Sequence, residues 1–588
     1  MNRRPAARRG GTTLANPARR LAGGLLGLGV LLSVLGARLV QLQGLDAAGY
    51  AVAALDQRRH TFELPAVRGE ILDRNGYPLA MNVDSRLVYA DPKLVADPTT
   101  AAVQLSPYLH QPVAGLLALL LGIGRPAGTR YVELARGLPP ATGKSISALN
   151  LPGIEVIPQS TRTYPTGSLA AAVVGFTNYE GQGAGGLELA LDRLLTGRNG
   201  RLTEELGRDG RVIPAGRRVE VAPVPGADVE LTIDQDLQYK AEQAITAQVR
   251  ATGARNGTVI VLDPRTGEVL AMATAPTFDS NAPGRAPAAD RGNRAVSDVY
   301  EPGSVNKVIT AAAALAAGIV TPDSVITVPP QLQVFDRVFH DAEAHGLEKL
   351  TFTGVLAKSS NIGTIEVAQQ LGKQKLYDAL RSFGFGAPTG VGLPGESGGI
   401  LPPPDSWSGT QLPTIAFGQG VAVTALQVAS VYATVADGGV RVPPRLVRGT
   451  VGADGELIPA PPPTPRRVLS VAVSTELRNM LEAATTDQGT APLARIPGYR
   501  VAGKTGTAQI AAPGGGYLPG QYTASFVGFA PTDAPQLVVA VVLQAPAHGQ
   551  FGGTVAAPVF SDVMAYALQS RRVAPTWTPP AVAQLVAP

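Results

Sequence analysis

The chain has no cysteine, which excludes disulfides, thiol nucleophiles and zinc–thiolate centres. It has little histidine (5) and tryptophan (2), and only 16% of its residues are charged. Lysine is scarce in a different way, with 9 Lys among 50 basic residues and Arg supplying the rest. Proteins do not deprotonate Arg, so a lysine in an unusual setting asks for a reason that Arg cannot meet. The net charge of +5 is more than covered by six arginines ahead of Leu21 (Arg3, Arg4, Arg8, Arg9, Arg19 and Arg20), with no acid among them. The remainder is near neutral, so the basic balance gives no reason to expect nucleic acid as a partner. What is plentiful is Gly (68) and Pro (50), without collagen periodicity and against 45% hydrophobic residues. That composition describes a packed, turn-rich body, and 588 residues correspond to about two to four domains.

Behind the arginines lies the uncharged run "LAGGLLGLGVLLSVLGA" (21–37), followed by "RLVQLQGL" with Arg38 as its only charge. Residues 21–45 are long enough to cross a hydrocarbon layer of about 30 Å, with the basic side retained in the cytoplasm. The reading is a cytoplasmic tail (1–20), a transmembrane anchor (21–45) and an extracytoplasmic bulk, with a cleaved signal peptide and a buried core helix as the alternatives. Residues 46–225 read as mixed short strands and turns, a structural or docking module, with an Asn75-Gly76 hairpin signal in "RGEILDRNGYPLAMN" and a helix after Gly186. The Pro/Gly-rich "VAPVPGAD" (221–228) marks a boundary. Beyond it, "GTVIVLDPRTGEVLAMATAP" at one end of 226–570, and "TASFVGFAP" and "QLVVAVVLQAP" at the other, enclose a helical middle. The fold class expected is α+β with an antiparallel sheet. Residues 571–588 are Pro-rich and read as a flexible tail.

The chemistry sits in three places. In "DVYEPGSVNKVITAAAALAAG" (298–318) a helix opens near Pro302–Ser304 and stops at Gly318. Ser304 and Lys307 then lie one turn apart on one face. A serine needs a base within hydrogen-bond reach to act as nucleophile, and lysine is that base only when burial or a neighbouring cation keeps it neutral. "VLAKSSNIGTIEV" supplies Ser359 and Asn361, and "YRVAGKTGTAQI" supplies Lys504, Thr505, Gly506 and Thr507 on a strand. Lys504 offers a cation to a carboxylate and lowers the proton affinity of Lys307 if close. The Ser359 and Thr505 hydroxyls can relay protons or bind the carboxylate, and the Asn361 amide can pair with a peptide. Gly506 leaves room for an approaching backbone. His340 and His345 in "FHDAEAH" do not share a helix face, so no metal is expected, and no cofactor motif is present.

The order S-x-x-K, S-x-N, K-T-G, together with the anchor, "RGEILDRNG", "RTYPTGSLA…GLE", "VLDPRTGEVLAMA" and "NRAVSDVYEPGSVNK", resembles the class B penicillin-binding proteins. These are membrane-anchored transpeptidases that cross-link peptidoglycan. The resemblance implies a pedestal (dimerisation-type) domain followed by a transpeptidase domain of the serine acyltransferase (β-lactamase-like) fold. It implies Ser304 as the nucleophile acylated by the penultimate D-Ala of a stem peptide, Lys307 as base and Ser359 as proton relay. Asn361 would hold the substrate amide, and Lys504, Thr505 and Thr507 the terminal carboxylate. The backbone N–H groups of Ser304 and Thr507 would form the oxyanion hole, and β-lactams would acylate the same serine. Asn306 departs from the family, which more often has an apolar or aromatic residue there. Arg68, Arg162 and Glu188 match a charged structural junction. No glutamate in an E-x-x-L-N context lies between Asn361 and Lys504, so the β-lactamase reading is disfavoured and slow deacylation is expected. "SSN" resembles the cell-division branch more than the elongation branch, which stays as the alternative beside a non-catalytic penicillin-binding scaffold or sensor. The partners implied are stem peptides, the membrane, a polytopic glycan-polymerising glycosyltransferase of the division machinery and other division proteins.

Overall fold

The computed structural model describes residues 17–126, 128–207, 212–452 and 454–587, so the expected cytoplasmic tail lies outside the described residues as far as residue 16. The chain forms two compact units, one ending at Ala66 and resumed over Arg198–Val224, the other comprising Val67–Gly197 and Pro225 onward.

In the first unit, helix Pro17–Val40 runs on through a π turn, Gln41–Leu45, and buries none of its side chains. A helix whose Leu and Val side chains all face outward suits lipid rather than water, and Pro17–Leu45 is long and apolar enough to cross a membrane. Helix Ala47–Arg58 leads into strand Arg59–Leu64, which pairs antiparallel with Gly200–Glu205, and that strand with Val219–Val221.

The second unit contains a seven-stranded sheet centred on Pro78–Ala90. The Asn75-Gly76 signal is a real turn: Asp73 Oδ1 accepts from the Asn75 and Tyr77 N–H groups at 2.7 and 2.9 Å, and Gly76 takes φ +84°. The structure divides the expected 46–225 pedestal differently, because Ile71–Leu72 pairs in parallel with Asp228–Leu231. Strands from both sides of the expected boundary thus share one sheet, and parallel pairing between segments so distant in the chain leaves no local signal. Near these strands Glu188 is fully buried and accepts from Arg68 Nε (2.8 Å) and Arg162 Nε (2.7 Å). The three residues expected at a charged junction therefore do converge.

The five-stranded antiparallel sheet has the order Val269–Ala275, Asn256–Leu262, Leu537–Gln544, Tyr517–Ala530, Ala502–Ala511. Its inner strands Asn256–Leu262 and Leu537–Gln544 are buried and largely apolar because both faces are covered. Val259, Val261, Val541 and Leu543 meet Leu237, Ile245, Phe560 and Met564 on one side, while Ile260, Val538, Ala540 and Val542 join Val308, Leu426 and Ala429 on the other. Helix Ala425–Ala436, held by a Thr424/Gln427 capping box, is buried at every residue.

The end of the chain corrects one expectation. Residues 584–587 are tethered, not loose: Thr351 N donates to Leu585 O (3.0 Å), Ala587 N to Lys349 O (2.8 Å) and Thr351 Oγ1 to Gln584 O (2.6 Å). Leu585 packs on Ala357 and Ala483, and Gly354 makes room, since a Cβ there would overlap the Leu585 carbonyl. Proline prevents regular structure in this stretch, yet its carbonyls and one leucine suffice for docking.

Candidate active site

Ser304 lies in a 3-10 turn, Gly303–Asn306, that continues as helix Lys307–Ala316. The expected single helix is thus tighter in its first turn. Gly303 has φ +59° and donates to Gly418 O (2.9 Å), and a Cβ on it would come 3.0 Å from Ala508 Cβ. The turn is therefore wedged between the "FGQG" loop and strand Ala502–Ala511, with Ser304 half-buried. Asn306, the departure from the family pattern, is buried and donates from Nδ2 to Ile415 O (2.8 Å), pinning the turn from behind.

Lys307 is 1% exposed. Its ammonium donates to Ser359 O (2.6 Å), Asn361 Oδ1 (2.8 Å) and Ser359 Oγ (3.3 Å). The "SSN" triplet makes this possible by dividing its work. Ser359 takes φ +61° between helices Phe352–Ala357 and Asn361–Leu371, a left-handed conformation uncommon outside glycine. Ser360 caps the second helix, its Oγ accepting from Gly363 N at 3.0 Å. Asn361 opens that helix with its side chain on the lysine.

On the edge strand Lys504 is fully buried, with Nζ 3.3 Å from Thr505 O and 3.4 Å from Thr505 Oγ1. Thr505 Oγ1 shares a 2.9 Å hydrogen bond with Thr490 Oγ1, and Thr507 Oγ1 accepts from Gly552 N at 3.4 Å. Gly506 is also needed inside the fold. A Cβ there would overlap Ser525 Oγ on the neighbouring strand and come 3.1 Å from Pro302 O and Val305 Cγ1, so the glycine lets that side chain and the serine-bearing segment sit close to the strand.

Burial pushes the Lys307 ammonium down to about 7, with Asp341 opposing the fall. Burial also holds Lys504 well below the usual lysine range, and the charge on Lys307 lowers it further. Two ammonium groups in one dry pocket disfavour each other.

Sequence reasoning missed Asp341 and Glu301. Asp341 Oδ1 accepts from the Asn361 and Ile362 N–H groups at 2.5 and 2.9 Å, and Asp341 Oδ2 lies 3.2 Å from His345 Nε2. His340 contributes only its carbonyl, which accepts from Asn361 Nδ2 (3.0 Å). Glu301, beside the 3-10 turn, accepts from Gly420 N (2.8 Å) and from the Tyr517 hydroxyl (3.0 Å), and burial raises its proton affinity. The acid inside "FHDAEAH" was visible, but nothing in its spacing ties it to a triplet that begins only at Ser359.

A serine preceding a buried lysine by three residues, an SxN turn bonded to that lysine and a K-T-G edge strand, on an antiparallel sheet covered by helices, is the arrangement of the penicillin-recognising serine acyltransferases. The penicillin-binding protein transpeptidase domain matches residues 257–565, and the penicillin-binding protein dimerisation domain residues 63–231. The chain belongs to the class B penicillin-binding proteins. Penicillin-binding protein PbpB of Mycobacterium tuberculosis is 40% identical over 94% of this chain and 86% of its own. The peptidoglycan D,D-transpeptidase FtsI of Escherichia coli K12 is 35% identical over 86% of this chain and 84% of its own. Among solved structures, the aztreonam complex of M. tuberculosis penicillin-binding protein 3 superposes with a TM-score of 0.70 at 36% identity, covering 89% of this chain and all of that one. A peptidoglycan synthetase from Bifidobacterium adolescentis gives 0.72 at 29% identity, over 90% of this chain and all of that one.

Proposed function

We propose that this protein is a serine D,D-transpeptidase that cross-links peptidoglycan stem peptides and is acylated by β-lactams at Ser304. The observation that carries the reading is the buried Lys307 ammonium, shared between Ser359 and Asn361. Neutral Lys307 takes the Ser304 hydroxyl proton as Oγ bonds to the carbonyl carbon of the penultimate D-Ala. The tetrahedral oxyanion is held by the N–H groups of Ser304 and Thr507. Its collapse breaks the peptide C–N bond, and the proton passes from Lys307 through the Ser359 hydroxyl to the departing D-Ala amine. Lys504, Thr505 and Thr507 hold the terminal carboxylate, and Asn361 the substrate amide. An acceptor amine then attacks the ester, loses its proton to the same base, and Ser304 regains its hydroxyl.

The apolar helix Pro17–Leu45 supports a single-pass anchor with its basic end in the cytoplasm. The likeness to FtsI supports a septal role beside a glycan-polymerising glycosyltransferase and other division proteins.

Covalent labelling with a fluorescent penicillin tests the reading. The wild type should give a stable adduct, and Ser304→Ala and Lys307→Arg none. An adduct that survives Ser304→Ala would remove Ser304 as the nucleophile. An unlabelled wild type, in membranes as well as purified, would favour a non-catalytic scaffold.

A further inference from the structure

We propose that Asp341 is a positioning residue for acylation: its carboxylate fixes the first turn of helix Asn361–Leu371 so that Asn361 meets Lys307. The inference rests on the acylation reading above.

The first turn of a helix has N–H groups without intrahelical partners. Here Ser360 satisfies Gly363, and one oxygen of Asp341 satisfies both Asn361 and Ile362. The residue so held is the one whose side chain receives the Lys307 ammonium and whose amide nitrogen is tied to His340 O. Asp341 therefore grips the backbone of Asn361, and the adjacent His340 carbonyl grips its side chain, both from one short segment. His345 closes the arrangement, with Nε2 3.2 Å from the second Asp341 oxygen and Nδ1 2.6 Å from Gly346 O. Both ring nitrogens face acceptors, so the ring orients the carboxylate and is itself oriented.

The titratable groups around Lys307 are few. Lys504 stands on the edge strand, and Asp341, backed by His345, stands behind Asn361. Asp341 is the acid that opposes the loss of the Lys307 proton. A negative charge favours the ammonium form, so removing it must free the amine at lower pH.

The test is the second-order rate constant for acylation by fluorescent penicillin between pH 5.5 and 9, on the detergent-solubilised full chain. Asp341→Asn keeps an acceptor oxygen and the shape but loses the charge. Its rising limb should move to lower pH by about half a unit or more, with a plateau within about threefold of wild type. Asp341→Ala loses the helix contact too, and its plateau should fall about tenfold or more. If Asp341→Ala does not fold, Asp341→Asn carries the test alone, because a purely structural role would not move the limb. An Asp341→Asn profile that superimposes on wild type overturns the inference while leaving the acylation reading intact. Absence of labelling in the wild type overturns both.

Discussion

Two of the nine lysines sit where lysine is costly, and that cost is the price of a base at neutral pH. Burial pushes the Lys307 ammonium down to about 7 from the 10.5 of a free side chain. Acylation should therefore fall about tenfold per pH unit below 7 and level off above it, as stopped-flow acylation rates across pH will show. The stability consequence runs the other way. Below pH 7 the buried ammonium penalty is fully present, and it fades as pH rises from about 7 to 10.5, because over that window only the unfolded chain holds the extra proton. Lys307→Met should abolish labelling, and its effect on denaturation stability should be more favourable at pH 7 than at pH 10, where the ammonium penalty has faded, measurable by urea titration at the two pH values. Ser304, Lys307 and the K-T-G residues were legible because their relations are local: three residues along a turn, or adjacent positions on a strand. Asp341 was not, because two backbone N–H groups recognise it and backbone groups carry no sequence signature. Gly506 was legible as a necessary glycine, but the neighbours it makes room for inside the fold, Ser525 first and then Pro302 and Val305, lie far off in the chain.

Elements with alternating or continuous apolar patterns and strong turns could be read directly. Strand Asn256–Leu262 pairs with Val269–Ala275 across a turn in which Gly267 takes φ +70°, and the run "GTVIVLDPRTGEVLAMATAP" makes the pair legible because period and turn chemistry agree. The seven-stranded sheet could not be read, because its short strands come from distant parts of the sequence. The ion cluster beside that sheet lends itself to a direct measurement. Glu188 is 0% exposed between two arginines that are 9% and 5% exposed, so neutralising it leaves buried Arg162 without its carboxylate partner and Arg68 with Asp192 alone. Glu188→Gln should cost about 3 kcal/mol or more and lower the thermal midpoint of the purified protein, while Asp84→Asn on the exposed Arg86 pair should change it by less than about 1 kcal/mol.

At the scale of the whole molecule, every group of the candidate site belongs to the second unit. A chain lacking residues 1–45 should leave the membrane fraction yet keep the penicillin acylation rate of the detergent-solubilised protein within about twofold. Sedimentation of labelled lysate checks both outcomes at once, and loss of labelling in the shortened chain would show that the site depends on its anchor. The α+β class was legible from strand runs enclosing a helical middle, and the apolar helix Pro17–Leu45 from run length. The docked end was not, because a proline-rich stretch gives no periodicity to read. That docking bears on how the protein can be handled. A fluorescent reporter fused after residue 587 would hang from the strand partner of Lys349 and Thr351, and any drag on it would reach the Phe352–Ala357 helix that leads to Ser359. A reporter placed at the amino terminus, or spaced from residue 587 by a long flexible linker, would follow the protein in cells without pulling on the wall of its own active site.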